Sequence, residues 1–329
     1  MRDARAELRG DRRPPRIARL GHLWWGCNRN DGSRWRTLRD PDHTPSRLGL
    51  MARSVPTTEP RRGLHWSEWL AEFAGTGVLM LGGLSAVMLD FGPAAPMAGL
   101  IPSTSGRLLL TGLLFGGTGS LVAISPLGRR SGAHLNPAIT LGFWLTRTLH
   151  PYDLVGYVAA QILGAVAGTI VLQAAWGPTA DALHDGLTQP ASGVSDAQAI
   201  MLEAAMTALL LLTIFFFTSH SSTARWTPVA VWLVVALLVW QGAPFTGTSL
   251  NPARSLGPAI VSAHLDKLWI YFAGPVTGSI LAAGLAWALG GHLLPITGKL
   301  FHDANYPTIF RTAQHLDPQP HEGLRRRRS

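Results

Sequence analysis

The chain has a single cysteine, Cys27, which excludes an internal disulfide framework and any cysteine-based metal cluster. It is equally poor in charge. Only 14% of its 329 residues are Asp, Glu, Lys or Arg, against 47% hydrophobic. A water-soluble domain needs nearer a quarter charged residues to cover its surface, so an ordinary soluble domain is excluded as well. What charge there is sits at the ends. Fifteen of the 28 basic residues precede Gly63, and the chain closes on Arg325-Arg326-Arg327-Arg328. The net charge of +9 raises nucleic acid as a partner. These basic residues flank apolar spans, however, where attraction to anionic membrane lipids is the simpler account, and no nucleic-acid role is expected.

A membrane-crossing helix takes about 20 apolar residues. Six stretches qualify, at roughly 67–90, 105–125, 154–176, 198–218, 227–243 and 268–292. Two shorter apolar stretches, 136–146 and 251–262, each begin with Asn-Pro and fit re-entrant half-helices. Such broken elements survive at membrane depth only when buried in protein or lining a watery cavity. The loops 91–104, 177–197 and 263–267 contain one basic residue, Lys267. The opposite set carries Arg129, Arg130, Arg147, Arg225, Lys299 and both basic ends. The positive-inside rule therefore places both termini in the cytoplasm, with the chain in a plasma or inner membrane.

Three segments follow: a basic tail over 1–62 expected to be disordered, a channel domain over 63–293, and a cytoplasmic C-terminal tail over 294–329. The first tail has no apolar periodicity and no signal-peptide core, and Met51 offers an alternative start.

The chain repeats itself. Ser131-Gly132-Ala133-His134-Leu135-Asn136-Pro137-Ala138 returns as Thr246-Gly247-Thr248-Ser249-Leu250-Asn251-Pro252-Ala253. Upstream lie Glu72 with Thr76 and Glu203 with Thr207; downstream lie Gly164 with Gly168 and Gly274 with Gly278. Three spans per half is an odd number, so the halves are inverted and their half-helices enter from opposite faces. In Asn-Pro-Ala, Asn is a preferred N-cap and Pro belongs at the first helical position. The cap consumes the Asn oxygen and leaves its NH2 group as a donor. Each helix N-terminus adds about half a positive charge. Two such starts meeting near the midplane repel cations and force a passing water to present its oxygen, which interrupts a proton wire. A lone Asn-Pro is an ordinary turn. Two copies inside an eight-residue repeat, in equivalent places of inverted halves, have no such account.

From Glu68 to Gly291 the chain resembles the major intrinsic protein family, the aquaporins and aquaglyceroporins. The likeness is carried by Trp69-Leu70-Ala71-Glu72-Phe73-Ala74-Gly75-Thr76, Ser131–Thr140 (SGAHLNPAIT), Phe245–Ala259 (FTGTSLNPARSLGPA) and Trp269–Gly278 (WIYFAGPVTG). The resemblance implies an all-α integral membrane fold of six helices plus two re-entrant half-helices. It also implies an hourglass pore in each subunit of a homotetramer, passive permeation, and no cofactor. A second filter is implied around Arg254, the residue after the second Asn-Pro-Ala; an arginine at membrane depth marks a conduction path in its own right. Ungapped counting from the Asn-Pro-Ala turns adds Val239, Thr248 and Gly116 to that filter, with Phe115 in place of Gly116 if the count slips by one. Such a filter is wider and more apolar than a strict water filter and favours glycerol or another small neutral solute. Against this, Ser255 stands where glycerol facilitators carry Asp, and Ala259, Tyr271 and Phe272 look like water channels. Glu72 and Glu203 are read as supports of the re-entrant loops, the only acids in the spans weighed as partners for Arg254.

The alternative transport reading is an aquaglyceroporin-like or metalloid-type neutral solute facilitator. Two other classes fit less well. A coupled secondary transporter needs a titratable site at the midplane, where this chain places asparagines. An intramembrane enzyme lacks His-Glu-x-x-His and Gly-x-Ser-x-Gly, and His134 has Ser249 as its counterpart in the second repeat. The expected function is a channel for water, with glycerol or similar neutral solutes, that excludes protons and ions.

Overall fold

The structure is a computed structural model that describes residues 64–310 except 94, 290, 304 and 307. The basic N-terminal segment, Met51 and the terminal arginines lie outside the described residues. All described residues fall in one compact unit.

In chain order the helices are α1 (Trp66–Phe91), α2 (Pro96–Leu100), α3 (Thr104–Ile124), α4 (Pro126–Ser131), α5 (Pro137–Leu145), α6 (Pro151–Trp176), α7 (Pro178–Ala182), α8 (Asp196–Thr218), α9 (Ser221–Ala224), α10 (Thr227–Thr246), α11 (Pro252–Val261) and α12 (Ile270–Ala288), with a 3-10 turn at His184–Gly186. Six of them, α1, α3, α6, α8, α10 and α12, are long and apolar enough to cross a membrane. Their outer faces are apolar as well: Leu70, Leu121, Val155, Leu163 and Leu237 are all exposed. That is the reverse of a soluble bundle, in which such residues face the core.

The two halves repeat in space as they do in sequence. Helix α1 packs along α6, α8 along α12, and α3 against α10 across the halves. Small residues set the closest approaches. A Cβ at Gly168 would stand 2.4 Å from the Gly77 carbonyl, and one at Gly278 would stand 2.4 Å from the Ala204 carbonyl. Backbone lies against backbone there, which is the geometry small residues permit between membrane helices.

Helix α3 stops at Ser125, before Pro126, which has no N–H to continue the ladder. The short α4 then turns the chain toward the first Asn-Pro-Ala. After α12 the chain does not leave the bundle. The Ile296 amide donates to the Thr218 carbonyl and the Leu300 amide to the Gly132 carbonyl. Lys299 is fully buried, its Nζ donating to the Arg129 carbonyl at 2.7 Å, and Arg129 pairs with Asp303 at 3.0 Å. Leu300, Ile309 and Phe310 join the apolar core. The described residues between 296 and 310, placed by sequence in a tail, form a strap folded against the α4 end. The sequence signal was too short and too mixed in polarity to show this.

Candidate pore and filter

The two eight-residue repeats form matching loops. Gly132, Ala133 and Leu135 have φ of 94°, 55° and 51°; Gly247, Thr248 and Leu250 have 74°, 48° and 58°. Left-handed backbone at non-glycine residues costs about 1–2 kcal/mol each, so something must hold it. A buried carboxylate does so in each half. Glu72 Oε1 accepts from Ser131 Oγ and the His134 amide, and Oε2 from the Leu135 amide and Gln161 Nε2. Glu203 Oε1 accepts from Thr246 Oγ1 and the Ser249 amide, and Oε2 from the Leu250 amide. These amides have no ladder partner, and a buried unmet N–H is expensive. Both glutamates are thereby occupied; Glu203 faces Arg254 electrostatically, but the guanidinium bonds the Gly186 carbonyl instead.

The loops deliver Asn136 and Asn251 as N-caps. Asn136 Oδ1 accepts from the Ala138 amide at 2.8 Å; Asn251 Oδ1 accepts from the Ala253 amide at 3.0 Å and the Arg254 amide at 3.3 Å. Pro137 and Pro252 open α5 and α11. The amide groups then cross between halves: Asn136 Nδ2 donates to the Leu250 carbonyl at 2.8 Å, and Asn251 Nδ2 to the Leu135 carbonyl at 2.9 Å. Each NH2 has two hydrogens, so one is fixed by the opposite loop and one remains. The sequence predicts the spare amide; the reciprocal latch is a tertiary addition.

Both asparagines line an inner cavity of 80 Å³ that runs toward the α4 end, where His134 and Leu300 also line it. His134 is held on both nitrogens, Nδ1 by Thr140 Oγ1 and Nε2 by the Gly298 carbonyl, and stacks on Phe143. An outer cavity of 230 Å³ opens toward the α7 end. Phe115, Val235, Ser249 and Leu250 line both cavities and therefore mark their junction.

Arg254, Val239 and Thr248 line the outer cavity together. Arg254 Nη1 donates to the Gly186 carbonyl at 2.8 Å, and its guanidinium carbon lies 5.6 Å from the Phe115 ring centroid. Its direct contacts are a carbonyl and a ring; the acid whose charge faces it, Glu203, is bonded to the second loop instead. The turn that offers this carbonyl, His184–Asp185–Gly186, is left-handed at all three residues. A buried hydroxyl chain, Thr188 to Ser255 to Ser249 with 2.6 Å at each step, ties it to the second loop.

Gly116 lines the inner cavity with the two asparagines rather than the one that holds Arg254; a Cβ there would lie 2.9 Å from the Trp232 carbonyl of α10. The alternative residue, Phe115, does line the Arg254 cavity, as does Thr111 one turn earlier. Counting back twenty residues from Asn136 runs through α4, which uses residues without continuing the line of α3. Thr111 and Asp90 went unnoticed in the sequence. Asp90 stands in the last turn of α1, fully buried, and accepts from Thr111 Oγ1. The signal was present, since an acid inside an apolar span is rare without a partner.

The model of the major intrinsic protein family matches residues 59–286. The chain is 35% identical over 229 residues to the lens fiber major intrinsic protein of Gallus gallus, covering 68% of this chain and 82% of that protein. It is 34% identical over 232 residues to the glycerol uptake facilitator protein-like 6 of Lactiplantibacillus plantarum, covering 68% of this chain and 98% of the relative. The probable aquaporin NIP7-1 of Arabidopsis thaliana is 33% identical over 253 residues, covering 76% of this chain and 85% of that protein. Among solved structures, the aquaglyceroporin from Plasmodium falciparum superposes with a TM-score of 0.57 at 23% identity, over 67% of this chain and 95% of that one, a likeness of fold. Six apolar helices, two inverted repeats and a family match over more than half of its length place the chain in the major intrinsic protein family.

Proposed function

We propose that the chain is a passive membrane channel that conducts water, together with glycerol or similarly small neutral solutes, down their gradients while excluding protons and ions. The observation that carries this reading is the pair of opposed N-caps. Asn136 and Asn251 each keep a spare N–H beside the inner cavity, and each caps a helix whose N-terminal end carries partial positive charge. A water there finds donors and gives its oxygen to them, so it cannot accept a proton from its neighbour.

Arg254 adds a full positive charge in the outer cavity, hydrogen-bonded to a carbonyl rather than to a carboxylate, and this supports exclusion of cations. Val239, Thr248 and Thr111 share that cavity, with Phe115 at its floor. Small side chains at these places support entry of solutes wider than water. The α7 end is then external and the α4 end, with Arg129 and Arg130, cytoplasmic, by the positive-inside rule. Association as a homotetramer belongs to the same reading.

A coupled transporter is less well supported, because Glu72 and Glu203 are consumed by loop donors and offer no free titrating site beside the asparagines. The test is stopped-flow light scattering on proteoliposomes challenged in turn with sucrose, glycerol and urea. Water and glycerol permeabilities above protein-free vesicles, without any ion gradient, are expected. Permeabilities equal to empty vesicles remove the channel reading.

A further inference from the structure

The pore described so far offers donors: two asparagine amides and a guanidinium. A polyol passing the outer cavity carries hydroxyl hydrogens that also need acceptors, and a buried hydroxyl left unmet is costly. Thr111 lines that cavity with Arg254, and its hydroxyl donates to Asp90 Oδ2. A carboxylate only accepts, so the single Thr111 hydrogen is directed away from the pore toward α1. Its oxygen lone pairs are left for the cavity. Asp90 itself does not line the cavity, is fully buried, and has no protein partner at Oδ1. Arg107, one turn before Thr111 on α3, is the charged group that faces it electrostatically and lies over the Phe91 ring.

We infer that Asp90 is a positioning residue for selectivity: it holds Thr111 as a hydrogen-bond acceptor across the outer cavity from Arg254, so that a hydroxylated solute finds a donor and an acceptor together. Water needs this less. It is small enough to turn and keep bonds to other waters, whereas a polyol filling the cavity presents several hydroxyls at once. The pair therefore acts on the ratio of polyol to water flux more than on water flux. A structural role alone, such as tying α1 to α3, would lower both alike through loss of folded protein.

This inference rests on the channel reading, and the experiment separates the two. Water and glycerol permeabilities are measured per reconstituted protein for the wild type, Asp90→Leu, Thr111→Val and Thr111→Ser. Leu fills much the same space as Asp but offers no acceptor, so the Thr111 hydrogen is released from α1. Asp90→Leu and Thr111→Val are expected to lower glycerol flux roughly five- to tenfold, the cost of one hydrogen bond lost in a buried site, with water flux within about twofold of wild type. Thr111→Ser, which keeps the hydroxyl, keeps the wild-type ratio. An unchanged glycerol-to-water ratio in Asp90→Leu overturns the inference, as does a wild type that passes water but no glycerol. Wild-type vesicles that pass neither overturn the channel reading instead.

Discussion

Asn136 and Leu250 lie 114 residues apart in the chain, yet the Asn136 amide donates to the Leu250 carbonyl at 2.8 Å, and Asn251 returns the same bond to Leu135 at 2.9 Å. The two halves are latched at the point where their half-helices begin. The donors available to a permeant are thus fixed in direction by the opposite loop, and the properties of the pore follow from how firmly its parts are held.

Among the described residues, Arg254 is the one full charge that lines the outer cavity, and Arg254→Val removes it. Proton or cation leak through proteoliposomes is expected to rise while water flux persists. A leak equal to wild type would take Arg254 out of the filter.

Val239→His places a larger, polar ring in the same cavity. Glycerol flux is expected to fall more than water flux in paired stopped-flow traces. Equal reductions would mean that Val239 does not limit solute size.

Glu72→Gln retains one acceptor oxygen where two now serve four donors, and Glu203→Gln does so where two serve three. Each buried donor left unmet costs roughly 1–3 kcal/mol. Both variants should melt at lower temperature in detergent, Glu72→Gln more so; the reverse order would count against this accounting.

Gly168→Val drives a side chain into the Gly77 carbonyl and its Cα, 2.4 and 2.9 Å from the first added carbon. Backbone cannot rotate away as a side chain can, so α1 and α6 must separate, at about 1–3 kcal/mol. The yield of monodisperse protein on size exclusion should drop, whereas Gly284→Ala, with nothing within 4 Å, should leave it intact.

Lys299→Met removes the ammonium that bonds the Arg129 and Tyr306 carbonyls at 2.7 and 3.3 Å. The strap over the α4 end should loosen. Hydrogen exchange at the Leu300 amide, now bonded to Gly132, is expected to speed up; retained protection would show that Phe310 and Leu300 packing suffice.

Six spans, two half-helices and the inversion of the halves were legible in the sequence because each depends on signals carried within about 20 residues. Apolar length marks a span, Asn-Pro marks a capped start, and Ser131–Ala138 against Thr246–Ala253 marks the repeat. Helix ends match within four residues at every span; α6 begins at Pro151, three residues earlier than expected, because His150 caps it. The matching roles of Glu72 and Glu203 were also readable, since an acid buried in a span has to find donors.

What the tertiary structure alone decided is where distant segments meet. Counting along the chain leaves Gly116 and Phe115 as alternatives; packing against α10 puts Gly116 on the inner cavity and Phe115 on both. The Gly186 carbonyl reaches Arg254 from a turn 68 residues away. The strap after α12 reads as a tail because Leu300, Ile309 and Phe310 are too scattered to form a span, and only the surface offered by Gly132, Arg129 and His134 gives them a place to bury. The Asn-Pro-Ala turns, by contrast, were determined by local chemistry, an N-cap followed by the one residue that loses nothing by lacking an N–H. The sequence supplied the donors; the packing of one half against the other chose their direction and which acceptor stands opposite them.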